Sequence, residues 1–219
     1  MTFRLVAAII LRDIRLNMAG PWEICATLCF FILIAILFPF AIGDDPLLLS
    51  RIGAGIGFTV LILASLVSLD HVFARDYEDG SLDLIAARAG TTLLVPVKAL
   101  THWLTRILPL LILLPLYGLL WHQPRLGALL LAVLLASPAL SLLGVAGAAL
   151  ALGSRLGALL VMLLVMPLYV PIVIFAMAAQ AGGEQAGGAF WMLVGFDLLA
   201  LGTLPWAGRA SIGQAIRFS

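Results

Sequence analysis

Asp70, Asp76, Glu78, Asp79 and Asp83 are five of the chain's eleven acidic side chains, and they stand within fourteen consecutive positions. Carboxylates this dense suit a cation site, yet the spacing fails the EF-hand pattern, which needs acidic ligands at positions 1, 3 and 5 before an invariant glycine. With Gly80 as that glycine, Arg75 and Tyr77 occupy positions 1 and 3. Cys25 and Cys29 are four apart on one helix face, where a disulfide has poor geometry, so they read as small apolar packing residues. No CxxC pair is present to work as a redox dithiol. His71, His102 and His122 form no metal cluster with acids inside the apolar segments. Lys98 is the only lysine and follows Val97, so the phosphate-binding GxxxxGK[ST] loop is absent. No basic cluster suggests a nucleic-acid partner.

The elements that must position these residues are apolar. Hydrophobic residues make up 63% of the chain and the mean hydropathy is +1.19, against roughly 45–50% apolar in soluble domains. Several runs exceed the ~18 residues that mark a membrane span. They lack the alternation of a membrane barrel, so the fold class is an all-α integral membrane protein. Residues 1–20 carry Arg4, Arg12 and Arg15 on one stripe, interrupted by Leu11, and read as an interfacial amphipathic helix. Six spans follow at about 22–42, 52–70, 100–121, 127–152, 156–178 and 190–208, each near the ~20 residues that the hydrocarbon requires. Residues 1–219 are therefore expected to form a single membrane domain, with its six-helix region at 22–208. No cleaved signal peptide is expected.

With the N-terminus inside, ten of the twelve Lys and Arg residues lie on inner segments, and only Arg51 and Arg125 lie outside. This positive-inside bias predicts cytoplasmic termini. Trp22, Trp103, Trp121, Trp191 and Trp206 fall near span ends, where indole rings settle at the membrane interface. Prolines 39, 109, 115, 138, 167, 171 and 205 predict kinks within spans. Gly53 with Gly57, and Gly144 with Ala148, suit close helix packing.

The same topology puts residues 71–98 in the longest inner connection. "DG" at 79–80 predicts a turn, Ser81 a helix cap, and Asp83 a favourable first-turn charge. Leu82, Ile85 and Ala86 would line one face of a short helix. Rimmed by acids, this helix is suited to dock on a soluble partner; a solvated loop is the competing reading. If transport here is driven by ATP, the ATPase is a separate subunit and this helix is its docking place.

Four stretches carry a family resemblance: "LFPFAIG" (37–43), "LLLSRIGAGI" (47–56), "LDHVFARDYEDGSLD" (69–83) and "KALTHWLTRILPLLILLPL" (98–116). In this order they resemble the haem exporter protein B family of bacterial cytochrome c maturation, and "MPLYVPIVIFA" (166–176) continues the likeness more weakly. The resemblance implies an ABC-2-like permease with six spans in the bacterial inner membrane. It implies a second copy of the chain and two copies of a cytoplasmic ABC ATPase as partners. A haem-handling membrane protein and a small accessory helix complete the implied complex, within membrane lipid. ATP would act only through the partner subunit. The loop between spans two and three would be the coupling helix, carried over to Asp79, Gly80, Ser81, Leu82 and Asp83, with Ile85 on its apolar face. The family is described both as exporting haem to the periplasm and as using ATP to release a haem-loaded chaperone.

The tryptophan-rich haem-handling motif is absent, which leans toward the second description. His122, beside Trp121, reads as an interfacial polar residue before an axial haem ligand. His102, near the inner edge of span three, is expected to hydrogen-bond across helices or to face a cavity. Asp197, in the sixth span, departs from the family pattern; an intramembrane carboxylate is a candidate functional group, weighed against a hydrogen-bonded or protonated structural one. Glu23 is expected to pair with an arginine of the preceding helix. Two other classes stay open: an ABC-2-type permease for lipid, polysaccharide or drug, and an intramembrane enzyme. The latter lacks paired catalytic groups at one depth.

Overall fold

The computed structural model describes residues 2–218 apart from 21, 44, 70, 153, 155 and 156. Helices account for the described elements in this order: α1 (Thr2–Ala19), α2 (Trp22–Ile42), α3 (Pro46–Val67), α4 (His71–Glu78), α5 (Ser81–Ala89) and α6 (Thr91–His102). A π-turn at Trp103–Ile107 leads into α7 (Leu108–Leu120). Then come α8 (Leu126–Leu150), α9 (Gly157–Ala181) and α10 (Ala186–Phe218). Among the described residues, six helical stretches are long and apolar enough to cross a membrane. The chain is an all-α, multi-pass membrane protein.

Two spans begin well before the sequence expectation. The second span begins at Pro46, because the Asp45 carboxylate accepts hydrogen bonds from the backbone N–H groups of Leu47 and Leu48 at 3.0 and 3.4 Å, with proline at the first helical position. The third span begins at Thr91 rather than near 100 and is broken by the π-turn. Residues 91–98 are thus its first turns, and the connection contracts to α4 and α5. The helix α10, which carries the sixth span, runs on beyond 208 to Phe218.

The second and fourth spans are largely buried, whereas the first, fifth and sixth expose long rows of Leu, Ile, Met and Phe. In a protein that crosses lipid, those rows need no protein cover. Cys25 and Cys29 sit on this exposed surface of α2 as free thiols, not in packing positions. Trp121 is the exception among the tryptophans: it is fully buried, and its indole N–H donates to the Ala35 carbonyl at 3.1 Å. It stacks on Tyr117 with ring centroids 5.2 Å apart. Gly53 and Gly57 leave the notch for this pair, since a Cβ at Gly57 would come within 2.9 Å of Tyr117 and one at Gly53 within 2.9 Å of Trp121. The small-residue motif on α3 therefore receives aromatic rings, not a second backbone.

Candidate functional site

Two acids are buried here, one of them from the dense acidic stretch. Asp76 on α4 is 2% exposed and Asp13 on α1 is 4% exposed; both turn inward onto Lys98 of α6, itself 6% exposed. The Lys98 ammonium donates to one Asp76 oxygen and makes an ionic contact of 2.8 Å with Asp13 Oδ2. Arg12 closes the cluster from its wetter edge, donating to the other Asp76 oxygen at 2.9 Å and contacting Asp13 at 3.2 Å. Burial works against the charge on Arg12, but the hydrogen bond to Asp76 and the carboxylate charges of Asp76, Asp13 and Asp79 outweigh it and hold the guanidinium above its ordinary value. Two cations and two anions thus meet where three helices converge. Lys98 stands 22 residues before Leu120, roughly 33 Å of helix, close to the ~30 Å hydrocarbon thickness. The cluster therefore sits at one rim of the membrane.

Ser81 ties the short helix α5 into this cluster. Its hydroxyl donates to Asp76 Oδ1 at 3.0 Å and accepts from Arg12 Nη2 at 3.1 Å. It is therefore not the cap that the sequence suggested. Gly80 occupies the cap position with φ +72, and Asp79 Oδ1 accepts the Ser81 backbone N–H at 2.8 Å. The Ser81 side chain beside it and the Ser81 backbone N–H bonded to its Oδ1 hold the exposed Asp79 carboxyl below the usual carboxylate range.

The apolar face of α5 is as expected in composition, and it turns toward the chain's own core. Leu82 is 1% and Ala86 8% exposed, and Ile85 packs against the same core. The surface turned outward is made of Asp79, Asp83, Leu84, Ala87 and Arg88. Of the residues assigned to partner docking, Asp79, Gly80 and Asp83 are exposed, Ser81 and Ile85 are half-buried, and Leu82 is an internal anchor. Asp70 and the side chains of Glu23 and His71 lie outside the described residues.

One turn beyond Lys98, His102 is buried between two hydroxyls. Its Nε2 lies 2.7 Å from Ser68 Oγ at the end of α3, and its Nδ1 lies 2.9 Å from Ser141 Oγ on α8. Both sequence expectations for this residue are met, because it bridges helices and also lines a cleft of about 340 Å³ with Asp13, Asn17, Asp76, Lys98 and Arg106. The π-turn begins at the next residue; the Leu108 N–H reaches back to the Trp103 carbonyl, widening the helix by one residue. Trp103 Nε1 donates to Ser137 Oγ on α8 at 2.9 Å, and Arg106 Nη2 to Asn17 Oδ1 on α1 at 3.3 Å. Side chains within five positions are thereby aimed at three different helices. Such turns are frequent at functional sites.

Asp197 stands apart from this cluster. It is half-buried on α10 and lines a separate pocket of about 240 Å³ with Trp103, Pro138 and Ser141, where its Oδ1 is buried without a hydrogen-bond partner. His122 is exposed in the α7–α8 connection at φ +48. Among the described residues no group of His, Cys, Asp and Glu could hold a metal ion.

Sequence reasoning missed Asp13 and Lys98 altogether and took Asp76 for surface charge. A faint signal was present: a lone lysine in an apolar stretch needs a buried counter-charge or an exit to water, and Lys98 has Val97, Ala99 and Leu100 around it.

Comparison with known proteins covers the whole of this geometry. The family model described as CcmB protein matches residues 4–216. Heme exporter protein B of Bradyrhizobium diazoefficiens is 40% identical over 218 residues, spanning 96% of this chain and 98% of that protein. Heme exporter protein B of Paracoccus denitrificans is 41% identical over 216 residues, spanning 96% and 99%. The protein of that name from Pseudomonas aeruginosa is 37% identical over 207 residues, spanning 92% and 93%. With the buried cluster, the short helix and all six spans inside the matched range, the chain belongs to the CcmB protein family.

Proposed function

We propose that this chain is the membrane permease subunit of an ABC-type haem-exporting complex serving c-type cytochrome biogenesis. The relatives' name, heme exporter protein B, supports haem as the substrate handled, and the six apolar helices among the described residues suit a multi-pass permease. In this reading residues 1–219 form one membrane domain in the bacterial inner membrane with both termini cytoplasmic. A second copy of the chain and two copies of a cytoplasmic ATPase assemble with it, beside a haem-handling membrane protein and a small helical accessory. Hydrolysis belongs to the ATPase, and ATP reaches this chain only through it. Haem passes outward, or the haem-loaded chaperone is released, by motion of the complex.

The observation that carries the reading is the construction of α5. An ATPase closing on nucleotide needs a rigid lever, not a loop. Here Leu82 and Ala86 anchor the helix to the membrane domain, Ser81 is bound to Asp76 and Arg12, and Asp76 is held by Lys98 of the third span. A push on the outward face, Asp79, Asp83, Leu84 and Arg88, is thereby delivered to α1 and α6 together. The motion shifts a population only as far as the ATPase binds the two arrangements differently.

Replacing both exposed acids, Asp79→Lys with Asp83→Lys, should lower co-purified ATPase by about tenfold while the permease still accumulates in the membrane. Unchanged co-purification would show that the ATPase docks elsewhere.

A further inference from the structure

The contacts around His102 contain more links than a neutral ring has hydrogens to fill. Ser68 Oγ lies 2.7 Å from the Ser65 carbonyl, and Ser141 Oγ lies 2.8 Å from the Ala99 carbonyl. A carbonyl can only accept, so each serine spends its single hydrogen there. Both hydroxyl oxygens then face the imidazole as acceptors, at Nε2 and at Nδ1. Four short contacts run in series from Ser65 through His102 to Ala99. A neutral imidazole and two hydroxyls bring three hydrogens; an imidazolium would bring four. A permanent charge within the membrane depth is costly, and Arg106, one turn away on the same cleft, already places one there.

We propose that His102 is a positioning residue that works as a tautomeric latch between the second and fourth spans. With a neutral ring one of the four links is always open. When Nε2 carries the hydrogen it is donated to Ser68, and Ser141 must turn its hydroxyl from Ala99 toward Nδ1. When Nδ1 carries it, Ser141 keeps its bond to Ala99, and Ser68 turns from Ser65 toward Nε2. The two arrangements hold the same atoms but direct the third span's donated hydrogen bond to opposite neighbours. They exchange at the residue immediately before the π-turn, the place where the third span is already free of a regular α-helical ladder. The choice between them is small in energy, so a modest displacement of α6 relative to α3 and α8 decides it. Taken with the proposed function, on which this last step rests, the displacement is the one delivered through Lys98, one turn earlier.

The test is nitrogen-15 NMR of histidine-labelled protein in lipid bilayers, with the His102 signals assigned by their loss in His102→Gln. Ser68→Ala leaves Ser141 as the only partner, so the ring should move to the Nδ1–H form. Ser141→Ala should move it to the Nε2–H form, the tautomer ratio shifting on the order of tenfold in opposite directions. The same tautomer in both variants, or an imidazolium signature in the wild-type chain, would overturn the latch. In the complex with its ATPase, a non-hydrolysable nucleotide should change the wild-type ratio. A ratio indifferent to nucleotide, with the ATPase bound and the serine variants behaving as expected, would remove the link to coupling. Failure of any ATPase to co-purify would instead count against the proposed function and leave the serine result standing.

Discussion

The two ends of the third span are fastened by different physics. At the α7 end, Tyr117 and Trp121 fit into the notch left by Gly53 and Gly57, and the Tyr117 hydroxyl donates to the Gly53 carbonyl at 2.6 Å. Shape fixes this end, and packed shape has one low-energy arrangement. At the α6 end Lys98 lies between two carboxylates, and His102 lies between two hydroxyls. Charge and hydrogen bonds fix that end, and these can be re-paired among alternatives of similar energy. The π-turn separates the two regimes. A span built this way can pivot on the aromatic end while the polar end rearranges.

The largest effect should come from Lys98→Met, which leaves Asp13 and Asp76 facing each other with Arg12 alone. Breaking a buried ion pair on one side costs about 3–5 kcal/mol, so this variant should accumulate poorly and lose much of its thermal stability in detergent. A wild-type melting curve would mean that the cluster contributes no net fastening. Gly57→Val tests the other end. Its side chain would enter space held by the Tyr117 ring, 2.9 Å from the new Cβ, and overpacking of this kind costs about 1–3 kcal/mol. Both the melting temperature and the Trp121 fluorescence should change; a neutral outcome would show that the notch is loose. Tyr117→Phe is the mildest, because it keeps the ring and removes one hydrogen bond. In membrane proteins such bonds average ~0.6 kcal/mol, so a loss well beyond that would show that the hydroxyl, and not ring packing, fastens the α7 end.

The difference also separates what is local from what is not. The "DG" turn, the first-turn Asp83 and the apolar positions 82, 85 and 86 made α5 readable, because each acts on its own few residues. The direction of its apolar face was not readable. A face reading Leu–Ile–Ala is equally suited to a foreign groove or to the chain's own core, and only the placement of α4 and α6 beside it chose the latter. Trp121 is similar: a tryptophan at a span end suits the interface, until two glycines on another helix offer it a buried place. The cap position fell to Gly80 and not to Ser81 for the same reason, since Asp76 and Arg12 engage the serine hydroxyl while Asp79 accepts the Ser81 N–H.

By itself the sequence determined the solvent and the scaffold. Hydrocarbon demands internally satisfied backbone over about 20 residues at a time, and in a chain with 63% hydrophobic residues six stretches among the described residues comply. The tertiary structure alone decided which charges are partners. Asp13, Asp76 and Lys98 are distant along the chain, and hydropathy reports only the average surroundings of a segment. An ion pair forms between groups a few ångströms apart in space, whatever their separation along the backbone, and that proximity exists only after the helices have packed.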